Sequence, residues 1–177
     1  MLKKVKVEIK GKTALLMNRF PMEQVEKMEK KPKEEQAEVA AYRDPQTKEL
    51  YVPGINIQRA FITGATFSKG KGRASLQKEV AAGVTVYPER ISLGTKTYEV
   101  DSRPVVVPAT KGRVVRHRPR LDKWKLSFEI EYDNDLLSGG QMRRVVDDTC
   151  ERVGFLDFRP EKKGPFGKAM VVKWKDE

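Results

Sequence analysis

A chain of 177 residues, 38% of them hydrophobic, is long enough to bury one packed core. Its charged fraction is 34%, and 36 Lys and Arg against 25 Asp and Glu leave a formal net charge of +11, a balance that favours polyanionic partners through attraction and counterion release. A single cysteine excludes an intramolecular disulfide, one His and one Cys argue against a zinc site, and no run approaches the roughly 18 apolar residues of a membrane span.

The N-terminus, Met1 to Val5, is basic, with no apolar run behind it to form a signal peptide, so the expected location is the cytoplasm. Residues 3–9 alternate polar and apolar and read as a half-buried strand, which the pattern extends past Gly11 through Thr13–Met17. Residues 22–40, rich in Glu, Lys, Gln and Met and broken at Pro32, read as a mobile charged insertion. Two short strands, 39–43 and 49–52, flank the turn sequence Asp44-Pro45-Gln46-Thr47. Pro53-Gly54 then punctuates, and Ile55 to Phe67 reads as a helix, with Gly64 weakening it. The segment Ser68-Lys69-Gly70-Lys71-Gly72-Arg73 is a flexible basic loop.

Residues 84–87 and 90–93 read as short strands, and Tyr98–Val100 and Arg103–Val107 as the arms of a hairpin. The clearest strand is 124–132, with Trp124, Leu126, Phe128, Ile130 and Tyr132 on one face. Ser138 is placed to cap a helix from about Gly139 to Val153, and Gly154 to stop it. Within that helix Cys150, beside Val146 and Val153, reads as a small core residue. Residues 169–174 form a last strand.

This order fits a split βαβ arrangement. The expected fold is α+β: an RRM-like or ferredoxin-like antiparallel sheet backed by two helices. Residues 1–177 form one domain, with the insertion at 22–40 and a basic hairpin region inserted at about 84–123.

The positive charge is uneven. From Arg103 to Lys125 the chain carries Arg103, Lys111, Arg113, Arg116, Arg118, Arg120, Lys123 and Lys125 against one acid, Asp122. Pro104, Pro108, Gly112 and Pro119 make this segment hairpin or loop. Arginine forks match phosphate oxygens in pairs, so an Arg-rich hairpin suits a nucleic-acid backbone. In the loop, Lys69, Lys71 and Arg73 have the same character, and its glycines let backbone amides approach an anion. His117 can stack on a base but has no evident acidic partner for general-base work. Of the aromatics near loops, Phe158 and Phe166 are the stacking candidates.

Two motifs resemble the RAMP superfamily, the repeat-associated proteins of CRISPR effector complexes. The first is Tyr51-Val52-Pro53-Gly54-Ile55-Asn56-Ile57-Gln58-Arg59-Ala60-Phe61, similar to the start of that superfamily's first helix. The second is Gly154 to Lys168, similar to the glycine-rich loop between its second helix and last strand, although Asp157, Arg159 and Pro160 stand where small residues are usual. The resemblance implies a subunit that coats a guide RNA together with copies of itself, using a projecting hairpin to reach its neighbour. It implies RNA contact at Asn56, Gln58 and Arg59, and at Gly164 and Lys168, with Arg159 and Phe166 in the same loop.

Some members of that superfamily cut RNA with an Asp in the loop after the first strand; here residues 11–23 hold none. Asp147 and Asp148 are adjacent in a helix and face different directions. No Ser/His/Asp set, P-loop or dinucleotide fingerprint occurs, so neither cofactor nor metal is expected. The sequence therefore predicts non-catalytic, largely sequence-independent binding of single-stranded RNA or DNA by a guide-RNA-coating subunit, with other effector subunits as further partners and no membrane. A stand-alone or viral single-strand binding protein, and a metal-dependent nuclease, are the alternatives.

Overall fold

The computed structural model describes residues 1–20, 27, 29–70 and 72–177. Strand β1 (Leu2–Gly11) sends Val5, Val7 and Ile9 inward and Lys4, Lys6 and Lys10 outward. The chain then makes a two-residue strand, β2 (Leu15–Leu16), and a short helix, α1 (Lys33–Val39). Strand β3 (Tyr51–Pro53) leads directly into α2 (Gly54–Gly64). A second short helix, α3 (Gln77–Gly83), precedes strands β4 (Val84–Tyr87) and β5 (Arg90–Ser92). A long hairpin follows, β6 (Glu99–Val106) and β7 (Arg113–Leu121). Strand β8 (Lys125–Asp133), helix α4 (Gly139–Asp148) and strand β9 (Ala169–Asp176) complete the chain.

The main sheet has the order β4-β8-β1-β9, with every pairing antiparallel. Together with α2 and α4, these strands form the βαββαβ unit of a ferredoxin-like fold. Strand β8 alternates as its sequence dictates: Leu126, Phe128, Ile130 and Tyr132 are buried, while Lys125 and Ser127 are exposed. The core lies between this sheet and the two helices. Phe61 of α2 meets Phe128 of β8 with ring centroids 6.1 Å apart, and Trp124 meets Phe155 edge-on at 6.4 Å. Helix α4 opens with a capping box. The Gln141 amide donates to Ser138 Oγ at 3.2 Å, and the Ser138 amide donates to Gln141 Oε1 at 2.9 Å. Its last turn, Thr149–Val153, is a wider π turn that buries Cys150, and Gly154 ends it at φ 74°.

Several expectations are corrected. The first strand does not run on through Thr13–Met17. Trp124 occupies the space beside Gly11, where a Cβ would lie 2.1 Å from its indole nitrogen, and that nitrogen donates to the Thr13 carbonyl at 2.8 Å. The chain then leaves the main sheet, and β2 joins β7 and β6 in a separate three-stranded sheet. Residues 39–43 are not a strand; only the Arg43–Leu50 bridge pairs there. The helix expected over 55–67 ends at Gly64 and continues as a 3-10 turn over Ala65–Phe67. Tyr98–Val100 and Arg103–Val107 are not two arms, because Glu99–Val106 is one strand whose partner is β7. Strand β4 belongs to the main sheet, so the projecting hairpin begins at Glu99 rather than near residue 84. Of the insertion expected at 22–40, residues 33–39 are helical and lie against β7, whereas 22–26 and 28 lie outside the described residues.

Candidate nucleic-acid interface

Helix α2 divides its residues between two tasks. Ile57, Ala60, Phe61 and Gly64 are buried against the core, while Asn56, Arg59 and Thr63 flank a cleft. The helix can start where it does because residue 54 is glycine: a Cβ there would lie 2.5 Å from the Pro88 carbonyl oxygen. The opposite wall is the glycine-rich loop, contributing Gly154 to Asp157, Arg159 and Glu161. Asn18 and Tyr42 close the ends of a space of about 250 Å³.

The cleft is polar and of mixed charge. Asn56 Nδ2 donates to the Tyr42 hydroxyl at 3.5 Å. Arg159 is held in place, donating through Nε to Glu161 at 2.8 Å and through Nη1 to the Leu156 carbonyl at 2.6 Å. Arg59 is exposed and makes no salt bridge among the described residues. The expected contacts Asn56, Arg59 and Arg159 thus meet at one site.

Gln58 does not join them. Its Oε1 accepts from the Val86 amide at 3.4 Å, so the side chain is turned onto β4. Gly164 serves the loop's own folding. Its amide already donates to the Arg159 carbonyl at 3.0 Å, and a Cβ there would lie 1.9 Å from the Phe158 carbonyl oxygen, so glycine is needed for close packing of the loop on itself. Gly167, at φ 78°, serves the same folding. Lys168 is half-buried, and its backbone anchors the loop to Lys12 and Thr13.

Phe166 is buried at 5% exposure in a small cluster with Ala14, Leu16 and Phe158. The guanidinium groups of Arg103 and Arg120 cover its ring at 4.8 and 5.4 Å. It is therefore unavailable to stack on a base.

The hairpin arginines fall into two sets. At the base, Asp101 accepts from Arg103 at 2.7 and 2.9 Å and from Arg120 at 3.3 Å. Arg103 foremost, with Arg120 and Arg118 behind it, holds the Asp101 carboxyl below its ordinary range despite burial. Arg118, at 6% side-chain exposure, is ion-paired with Asp157 of the cleft wall. Its Nε and Nη2 are buried without a hydrogen-bond partner. Arg118 is thus a buried tie between hairpin and loop, correcting its assignment as a free phosphate contact. His117 is half-buried and shares a 2.7 Å hydrogen bond with Ser102 Oγ.

Toward the tip, Lys111 and Arg113 are exposed and Arg116 is half-exposed, and none makes a salt bridge among the described residues. Arg116 lies directly across from Arg103, a like-charge pairing that costs stability unless an anion intervenes. In the loop after α2, Lys69 and Arg73 are exposed but do not line the cleft. Lys71 lies outside the described residues. Asn18 and Tyr42 carried no local sequence signal, because they reach the cleft only through tertiary folding.

No known family model matches the sequence, and no curated protein matches it. Among solved structures, a chain of the type III-B Cmr-beta complex bound to cognate target RNA, determined by cryo-EM, is similar with a TM-score of 0.61 at 15% identity. The match covers 99% of this chain and 60% of that one, so this chain spans about 60% of its neighbour's length. At that identity the likeness is one of fold alone.

Proposed function

We propose that this chain binds single-stranded RNA through the phosphate backbone, as a non-catalytic subunit that lies beside copies of itself along a guide RNA in a CRISPR-type effector complex. The observation that carries the proposal is the arrangement, around one anchored frame, of cations that make no salt bridge among the described residues. Arg59 stands at the cleft, Lys111, Arg113 and Arg116 stand on the hairpin, and the Arg118–Asp157 pair ties hairpin to cleft wall. Such contacts position a strand without reading its sequence. The RNA-bound complex that contains the structural neighbour supports RNA and effector subunits as partners.

The non-catalytic part rests on how the acids are used. Asp147 accepts from Arg143 at 3.2 Å, while Asp148 pairs with Arg152 at 3.6 Å and accepts from Ser68 at 3.4 Å. The two neighbours are engaged in different directions. Among the described residues, no group of three or more His, Cys, Asp or Glu side chains could hold a metal.

The test is purification from native cells without nuclease, followed by identification of any co-purifying nucleic acid. A discrete RNA in a particle that grows in regular steps is the expected result. A clean monomer with no affinity for added single strands at moderate salt would refute the proposal. Tight binding of single-stranded DNA without regular assembly would favour a stand-alone single-strand binding protein.

A further inference from the structure

Opposite the helices, the main sheet leaves one face uncovered, and its composition differs from that of a merely solvated sheet. Strand β9 carries a β-bulge. Ile9 pairs with Val171 but Glu8 pairs with Lys173, leaving Val172 extra. Strict alternation from Met170, which lies opposite Lys10, would turn Trp174 to the open face and Lys173 and Lys175 toward the helices. The bulge reverses this. Trp174 goes under Arg143 of α4 at 5.2 Å, and Lys173 and Lys175 emerge on the open side. Bulges commonly re-aim side chains in this way.

Lys6, Lys173 and Lys175, with Tyr87 and Pro88 at the far side, line a groove of about 520 Å³ across this face. Tyr87 is 45% exposed. Of the acids on the face, Glu8 lies 4.0 Å from Lys125, Glu129 3.3 Å from Lys4, and Glu177 pairs with Lys6 at 2.6 Å, which leaves Lys173 and Lys175 as the groove's uncommitted cations among the described residues. Lys10, Lys173 and Lys175 make no salt bridge among the described residues. Glu8 also lines a second groove of about 710 Å³, which runs past Lys10, Lys125 and Lys123 to Arg120 at the base of the hairpin. The two grooves meet at Glu8, and along them Lys6, Lys10, Arg120, Lys123, Lys125, Lys173 and Lys175 outnumber the acids Glu8, Glu99, Asp122 and Glu129, with Tyr87 at one end.

We infer that this open sheet face is a second surface for single-stranded nucleic acid, separate from the cleft beside α2. Tyr87 stacks on a base, Lys173 and Lys175 hold the adjoining phosphates, and the strand continues toward Lys10 and the hairpin base. Positive charge along a groove with an exposed aromatic ring is the combination that binds single strands without sequence preference. The inference adds a surface to the proposed RNA binding but does not depend on the cleft being its first site.

The test uses the full chain and a bromouridine-substituted uridine homopolymer, with photo-cross-linked peptides identified by mass spectrometry. Cross-links are expected at Tyr87 as well as at the hairpin tip. The double variant Lys173→Ala/Lys175→Ala should lose the Tyr87 cross-link, keep those at the hairpin, and bind roughly tenfold more weakly at moderate salt. These lysines are exposed, so the thermal midpoint should not move; Tyr87→Ala should lose affinity similarly with the same midpoint. Cross-links confined to cleft and hairpin, or unchanged affinity in the double variant, would overturn the second surface and leave the proposed function standing. Absence of any RNA binding by the unaltered chain would overturn both. Loss of an acidic protein partner with RNA binding intact would make this face a protein contact and refute the inference.

Discussion

Neutralising the hairpin tip and breaking its base should produce opposite signatures. Lys111, Arg113 and Arg116 make no salt bridge among the described residues, so replacing all three with Ala removes only contacts to the ligand. Each phosphate contact on a single strand contributes about 0.7 to the slope of log affinity against log salt, so the slope should flatten by about 2. A fourfold rise in salt then costs the variant roughly 20-fold less affinity than it costs the unaltered chain. Urea denaturation should show no loss of stability, and relief of the Arg103–Arg116 juxtaposition should favour the variant slightly. Asp157→Asn should do the reverse. It leaves the buried Arg118 guanidinium, already unpartnered at two nitrogens, without its charge partner. Removing one member of a buried pair typically costs about 3–5 kcal/mol; Asp157 is 29% exposed and Asp101 still lies near Arg118, so the low end applies. Its salt slope should not change. Slope from salt titrations and stability from urea curves separate the two. A tip variant with an unchanged slope, or an Asp157→Asn variant of full stability and flattened slope, would refute this division of the arginines.

Gly64→Ala should destabilise the protein although alanine is the better helix former by about 1 kcal/mol. A Cβ at residue 64 would lie 1.9 Å from Thr149 Oγ1, and a stabilised variant in thermal melts would contradict this close helix contact. Ser138→Ala should cost about 1 kcal/mol in urea denaturation through loss of the α4 cap. Tyr98, which donates to Glu38 at 2.7 Å, has its phenol pushed up to about 12 by burial first and by Glu38 second. Because its folded value exceeds its ordinary value of 10.0, its contribution to stability is complete below pH 10 and is lost as pH rises toward 12. Burial also raises Tyr132, so tyrosinate absorbance of the folded chain should show two late-titrating groups, of which Tyr98→Phe removes one.

The parts of the fold legible in the sequence were those fixed by local periodicity. The alternation from Trp124 to Tyr132, the cap at Ser138 and the stop at Gly154 each depend on residues within a few positions. Helix α3 was not legible. Gln77–Gly83 spans barely two turns and buries one side chain, Val80, so its periodicity is too short to stand out. The hairpin was read in the wrong register for a different reason. Its arms are separated by Val107 to Gly112, and the polar pair Asp101-Ser102 mimics a turn between two short arms where β6 in fact continues, with Asp101 opposite Arg118 and Ser102 opposite His117.

The same limit explains the site. Summed along the chain, the hairpin's cations are equivalent, and the sum points to a polyanion. What each does is decided by distant partners: Asp157 lies 39 residues from Arg118, and the Phe166 ring that Arg103 and Arg120 cover belongs to a loop formed after α4. Buried anchoring and exposed binding both favour arginine, because its fork satisfies carboxylates and phosphates alike. Residue type therefore cannot separate the two uses. Burial and pairing can: they set the base arginines Arg103, Arg118 and Arg120, each paired with a carboxylate, apart from Lys111, Arg113 and Arg116, which make no salt bridge among the described residues.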